Sequence, residues 1–556
     1  MNKKVCSFPI LFALLAFLIG TCAVVFPASA QAAPTSTGST TVSGTVASSY
    51  DAYQIFSANV VDGDSAAKIA TDLAWASDAV RDAALPVLHS AGMPNSQTTA
   101  QEAAEWLNTD SHLTGALSAQ LARSLQSSGA VPVALNAGTA AELPCGYWLI
   151  VADDDAIAQG EAGTAPIMAL VGGSAVTVKP KAATPKVAKH VLEDSAAAWQ
   201  KAADATVADD LYWRLSATVP AGLTAYDTYT VQFVDTMGAG LDPSKVAASM
   251  RVYVAAGADG GFDAVSTGKD GRAGTEPAKG WTDITAQCAT KVAVDGKTFT
   301  VRTGDLMAAL GGADAFTAGA RVVAVYNAPL NSACNHGIAK GNPNEVYLRY
   351  PRSPFADQSG DAGFTRTPSD DACAYTWDLA LTKRGSDGDK PLAGAVLSIA
   401  DDRGRTLAAD GTWDAEGKAT VTTGEDGRVT VSGVDSGKLE VRELKAPKGY
   451  TAFEGTHSVT VKAEGLDVDQ VAAAKPKLTI TAESPLRADS ADGSTGSLEA
   501  SLINTPTGTP PSITTGGFMP STGDMAMYAA AAAAVAGAAL IVVALLVKRG
   551  GGSHKE

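Results

Sequence analysis

Three polar residues end apolar stripes in the last third of this 556-residue chain. Alternate residues of a strand face the same side. Trp377, Leu379, Leu381 and Lys383 share one face of one segment. Leu439, Val441 and Glu443 share a face of a second, and Leu498, Ala500, Leu502 and Asn504 of a third. A lysine, a carboxyl and a carboxamide are therefore aimed at one core, where unpaired polar groups are costly. Meeting there, they would satisfy one another, and they would also be set up to react. Burial pushes the amine toward its neutral, nucleophilic form and the carboxyl toward the neutral acid. A neutral acid can donate a hydrogen bond to the asparagine carbonyl and polarise it. The amine then attacks that carbon, ammonia leaves, and an amide joins two side chains. Proximity inside a folded core supplies much of the rate. Such a step happens once per chain and is not enzyme action on an outside substrate.

A second set lies upstream. Val187, Lys189 and Val191 alternate, as do Tyr229, Val231, Phe233 and Asp235, and then Asn344, Val346, Leu348 and Tyr350. Lys186 falls on the opposite face, and Asn342 lies close to Asn344.

The elements that must hold these residues are strand-rich. Residues 31–180 read as an α+β domain. Ile69, Leu73, Val80 and Leu88 fit one helical stripe. A second helix starts at Thr99, with Glu102 completing a capping box, and runs through Trp106, Leu113, Leu117, Leu121 and Leu125. Lys179 to Pro185 reads as a linker. Residues 181–355 and 370–506 alternate as short strands and turns, which predicts two β-sandwiches in series. Thr505 to Phe518 is rich in Pro, Thr and Gly and reads as a stalk, with residues 507–524 as stalk and terminal motif. The fold expected is mainly β: an α+β domain, two sandwiches and a C-terminal transmembrane helix.

Both ends carry addressing patterns. Lys3-Lys4, an apolar run from Ile10 to Phe26 and Ala28-Ser29-Ala30 form a signal peptide, residues 1–30. Met525 to Val547 is long and apolar enough for a membrane helix, and Lys548-Arg549 opens a cytoplasmic tail, 548–556. Exported chains form disulfides. Cys145, Cys288, Cys334 and Cys373 remain after processing and allow three pairings.

At these residues a family resemblance emerges. Leu439-Glu440-Val441-Arg442-Glu443-Leu444 and the following Lys-Ala-Pro-Lys-Gly-Tyr resemble the E-box of Gram-positive pilins. Leu379 to Lys383, Lys390 to Ala395, and Ile503-Asn504-Thr505-Pro506 resemble the opening and close of a Cna-B-type immunoglobulin-like domain. The resemblance implies an isopeptide bond between Lys383 and Asn504, assisted by Glu443. In the middle pilin domain of that family an Asp takes the glutamate's role, which implies a second bond, Lys189 to Asn344, assisted by Asp235. Met519-Pro520-Ser521-Thr522-Gly523, before the apolar span and the basic stop, resembles a cell-wall sorting signal cut by a sortase between Thr522 and Gly523. Val176-Thr177-Val178-Lys179-Pro180-Lys181 resembles the pilin motif, whose last lysine attacks the sortase-bound threonine of the next subunit. The expectation is a fimbrial backbone subunit on the cell surface, wall-anchored, serving adhesion. Its partners would be sortase, copies of itself or other pilins, peptidoglycan and a host or bacterial surface ligand. The alternative is a monomeric wall-anchored adhesin or a pilus tip or base subunit.

Other classes find less support. The net charge of −16, with no long basic run before the tail, disfavours nucleic acid. The six scattered histidines form no metal-ligand spacing, and no C-x-x-C occurs. No metal or cofactor is expected. No nucleophile elbow, zinc helix or phosphate loop marks an enzyme.

Overall fold

The computed structural model describes residues 36–508, apart from 65–66, 110–111, 181–183, 221–222, 258–260, 269–270, 294–295 and 316–318. The signal peptide, the sorting motif Met519 to Gly523, the apolar span and Lys181 lie outside the described residues. Among the described residues no helix is long and apolar enough to cross a membrane.

The first domain layers a three-stranded sheet, a five-stranded sheet and three helices. Tyr50, Ala52, Trp148 and Ile150 fill the space between the sheets. Phe56, Leu149, Leu121 and Leu125 fill the space beneath the helices. The helices are Asp78–Ser90, Ala100–Asn108 and Gly115–Ser127. Their side-chain N-caps are Ser77, Thr99 and Thr114, each satisfying an otherwise unpaired first-turn N–H. The Thr99/Glu102 capping box forms as expected.

Two expected helical stripes are divided. Ile69 and Leu73 lie on the strand Lys68–Trp75, and the helix starts only after Ser77. Leu113 lies between two helices, because Thr109 ends one with an extended backbone and Thr114 caps the next. A spacing of seven residues, two helical turns, matched the helix period by coincidence at both breaks, from Leu73 to Val80 and from Trp106 to Leu113.

The middle unit is a sandwich of a six-stranded and a seven-stranded sheet. Trp213, Phe233, Phe299, Tyr326 and Leu348 are fully buried between them. This unit runs beyond residue 355. The strand Asp370–Tyr375 pairs antiparallel with Asn342–Pro351 and parallel with Ala202–Asp204. The third unit therefore starts at about Thr376 rather than at 370. It pairs its first long strand, Trp377–Gly385, in parallel with its last, Ser497–Pro506. A second sheet, containing Val396–Ala400 and Gly437–Lys445, covers them across a core of Trp377, Leu379, Val441 and Leu498.

Among the described residues no pair of cysteines is joined. Cys145, Cys288, Cys334 and Cys373 are all free thiols, contrary to the disulfides expected from their even number. Cys145 sits in a small cluster with Ala58, Val60 and Leu170 in the first domain. Cys288 and Cys334 border the middle core, and Cys373 the third. Burial pushes the Cys288, Cys334 and Cys373 thiols up to about 11, so they behave as packed apolar groups.

Carboxyls crowd the junction of the two sandwiches. Asp204 accepts from Trp377 Nε1 at 2.7 Å and from Ser436 N at 2.9 Å, tying one unit to the other. Its own N–H donates to Glu193 at 3.1 Å. Asp209 pairs with Arg403 and Arg405 of the third unit at 2.8 and 2.5 Å. Burial, and then the repulsion of Asp204, pushes the Glu193 carboxyl up to about 8. The same two causes raise Asp194 and Asp435. An acid whose folded pKa is raised holds a proton that the unfolded chain releases. Its contribution to stability is complete below the unfolded value, about 4, and fades as pH climbs toward the folded one. The thermal midpoint of the exported chain is therefore expected to be higher at pH 5.5 than at pH 8.5. A melt that rises or stays flat over that interval would contradict this origin of the junction's stability.

Candidate functional site

In the third unit the sheet itself brings the three polar residues together. Lys383 and Asn504 stand on adjacent parallel strands, with Lys383 opposite Leu502 and Gly385 opposite Asn504. The offset is two residues on the same face, a diagonal that a long side chain spans. Glu443 enters from the facing sheet. The side chains of Lys383 and Glu443 are fully buried, and Asn504 is 2% exposed.

Lys383 Nζ donates to the Asn504 side-chain carbonyl and lies 3.1 Å from Glu443 Oε1. The Asn504 NH2 donates to both Glu443 oxygens at 3.0 Å. Phe453 N–H donates to Glu443 Oε2 at 3.0 Å, and the Phe453 ring lies 5.3 Å beneath the lysine nitrogen. Burial pulls the Lys383 amine down to about 8, against the opposing pull of Glu443.

This geometry differs in one respect from the sequence expectation. The carboxyl faces the NH2 of Asn504, and the carbonyl faces the lysine. Glu443 thus bridges the lysine nitrogen and the carboxamide nitrogen. It is placed to take a proton from Nζ and hand it to the leaving NH2. The balanced change is one C–N bond formed, one C–N bond broken and one ammonia released.

The middle unit places its set across two sheets. Lys189 lies on Val187–Glu193 of one sheet, and Asp235 and Asn344 lie on neighbouring strands of the other. All three are fully buried. Lys189 Nζ donates to Asp235 Oδ2 and, at 3.0 Å, to Tyr326 Oη. The Tyr326 hydroxyl donates to Asp235 Oδ2 at 3.0 Å and accepts from the Asn344 NH2 at 2.8 Å. Asp235 Oδ1 and Asn344 Oδ1 have no hydrogen-bond partner. Burial pulls Lys189 down to about 8 and pushes Asp235 up, so this pair drifts toward neutral amine and neutral acid.

Asn342 is buried too, but its amide is committed elsewhere. It accepts from Asn335 N at 2.8 Å and donates to Asn335 O at 2.9 Å and Ala374 O at 3.2 Å. Lys186 is exposed at the start of its strand. The structure therefore groups Lys189 with Asn344.

Tyr326 and Phe453 were not identified from sequence. Tyr326 sits in Arg321–Asn327, a strand buried at every position, where no alternation marks one face. Phe453 lies in irregular backbone after the short strand Tyr450–Thr451 and carries no periodic signal. Of the proposed donor motif, Val178 is buried and Thr177 and Lys179 are exposed. The strand Val176–Val178 pairs in parallel with Thr37–Val42. Among the described residues no group of three or more His, Cys, Asp or Glu is arranged to hold a metal ion.

Residues 378–475 match the family described as the SpaA prealbumin-like fold domain. The chain is 30% identical over 143 residues to the trypsin-resistant surface T6 protein of Streptococcus pyogenes serotype M6, a match that spans 24% of each chain. Among solved structures it is similar to the T6 backbone pilin of serotype M6 Streptococcus pyogenes, at 16% identity and TM-score 0.45, covering 85% of this chain and 98% of that one. It is also similar to the full-length major pilin SpaD from Corynebacterium diphtheriae, at 14% identity and TM-score 0.40, with coverage of 85% and 98%. The major pilin SpaA of Corynebacterium diphtheriae, described as pointing to a modular pilus assembly stabilizing isopeptide bonds, matches at 14% identity and TM-score 0.37, with coverage of 84% and 100%. The chain thus carries a SpaA-type prealbumin-like domain, and the proteins it is similar to are Gram-positive backbone pilins.

Proposed function

We propose that this chain is a backbone subunit of a covalent surface pilus, polymerised and wall-anchored by sortase. In that role each sandwich is closed by one internal amide, Lys189 to Asn344 and Lys383 to Asn504. The observation that carries the reading is the pair of buried lysine–acid–asparagine sets, each at a position where a cross-link would serve a fibre. In the third unit the bond joins the first long strand to the last, so tension entering at one end leaves at the other without shearing the hydrogen bonds between them. In the middle unit it staples one sheet to the other.

Lys181 is the proposed donor amine and Thr522 the proposed acyl donor, after cleavage before Gly523. The exposed Lys179 and the strand leading to it support an accessible end of the first domain. Cells expressing the wild-type chain are expected to show a ladder of high-mass species that survives boiling in detergent, and Lys181→Ala is expected to collapse it to a single wall-linked band. A persistent ladder in Lys181→Ala removes that lysine from the role. A single band in the wild type would make the chain a monomeric wall-anchored adhesin or a pilus tip or base subunit.

A further inference from the structure

One face of the middle unit gathers cations in a chain whose net charge is −16. Arg302, Gln232, Arg349 and Arg366 are successive cross-strand partners in a single row. Arg349 and Arg366 stand directly opposite each other, an arrangement of like charges that costs stability unless something lies between them. Arg352, three residues beyond Arg349, lines the same groove, which encloses about 590 Å³.

The guanidiniums are held in place by rings. Arg302 and Arg349 lie 5.5 and 5.8 Å from the Phe364 centroid, and Arg366 lies 5.1 Å from that of Tyr347. A ring against the guanidinium restrains the planar fork; Arg302 also donates to Gln358 O. Arg349 donates to the Asp361 carboxylate at 2.8 Å and to the Asp361 backbone oxygen at 3.0 Å, and the Asp361 side chain, 83% exposed, is free to give way to a ligand. Arg366 makes no side-chain hydrogen bond or ion pair among the described residues. The opposite wall comes from the first domain, through Asp155, Ile157 and Gln159. The domains are locked together here: Gly160 N donates to Thr365 Oγ1 at 2.9 Å, and Tyr350 Oη donates to Gly160 O at 2.7 Å.

We propose that this interdomain groove binds an acidic saccharide, through carboxylate or sulfate groups placed between Arg349 and Arg366. The row of forks suits planar or tetrahedral oxyanions bidentately. The volume lies in the range of small-ligand sites, about 300–1,000 Å³, and a trench of that size takes a short sugar chain rather than the broad face of a protein. The ring of Tyr347 and the polar Gln159 and Thr365 supply the stacking and hydrogen-bonding surface that a sugar uses. The inference rests on the proposed surface location of the chain and adds a ligand class to it. Polymerisation and the internal amides do not enter it.

The test is calorimetric titration of the full exported chain in detergent with four probes. They are a sulfated uronate-containing tetrasaccharide, an unsulfated uronate-containing tetrasaccharide, a neutral glucose tetrasaccharide and an oligoglutamate peptide. Binding of at least one acidic tetrasaccharide is expected, weakening with salt and falling at least about tenfold in Arg366→Ala and in Arg349→Ala. Which acidic probe binds separates sulfate from carboxylate recognition. Arg366 is exposed and unpaired, so its variant should fold, and an unchanged melting curve would check that. No heat with either acidic sugar, equal binding of the neutral sugar, equal or tighter binding of the peptide, or wild-type affinity in Arg366→Ala would each overturn the proposal. None of these results would disturb a covalent ladder on cells, so failure here is distinguishable from failure of the pilus reading.

Discussion

Glu443→Ala is expected to give a third unit that folds without its internal amide, and the chain should weigh about 17 Da more than the substituted sequence would with that amide formed, one retained ammonia. The physical basis is the position of the carboxylate, within 3.1 Å of the Lys383 nitrogen and 3.0 Å of the Asn504 nitrogen. No other acid among the described residues is placed between them. The consequence for stability is large. Lys383 and Asn504 are 121 residues apart. Closing a loop of that order stabilises by about 4–5 kcal/mol in the chain-entropy account of cross-links. The variant also leaves the Asn504 NH2 and the lysine without their buried acceptor, at about 1–3 kcal/mol for each unsatisfied group. Intact-mass measurement combined with thermal unfolding checks both parts. A Glu443→Ala chain of wild-type composition apart from the substitution, still lacking one ammonia, would remove Glu443 from the reaction.

Asp235→Asn should act on the middle unit in the same direction with little change of shape. The amide cannot carry the proton between Lys189 and Asn344, and loss of a positioned acid–base group slows such a step by about 10²–10⁴-fold. At harvest the peptide linking Lys189 to Asn344 is expected to be absent from digests of the variant and present in wild type. Tyr326→Phe should give a slower reaction and not a blocked one, because Tyr326 touches Lys189, Asp235 and Asn344 but is not the proton carrier. The rate should rise with pH through about 8, where the Lys189 amine loses its proton. Full yield of the linked peptide in Asp235→Asn would refute this assignment. The two variants are independent tests, since the reacting sets lie in separate sandwiches with separate cores.

Much of this protein was readable before any coordinates. A period of two with a polar residue ending the stripe marks a strand whose polar group must find partners inside, and Lys189, Lys383, Glu443 and Asn504 are all buried as that pattern requires. The Thr99/Glu102 capping box is likewise local, because its hydrogen bonds close within four residues. Features that depend on distant segments were not readable. The strand Asp370–Tyr375 belongs to the middle sheet because of pairings made with residues far away in sequence. An even cysteine count says nothing about distance, and the four described thiols are unpaired. Tyr326 lies on a strand buried on both faces, so no alternation could reveal its place between the lysine and the asparagine. The orientation of Asn504, its NH2 toward Glu443, and the arginine row that crosses four strands were decided only when the sheets assembled. Periodicity tells which way a side chain points relative to its own strand, whereas register and sheet packing decide what it meets.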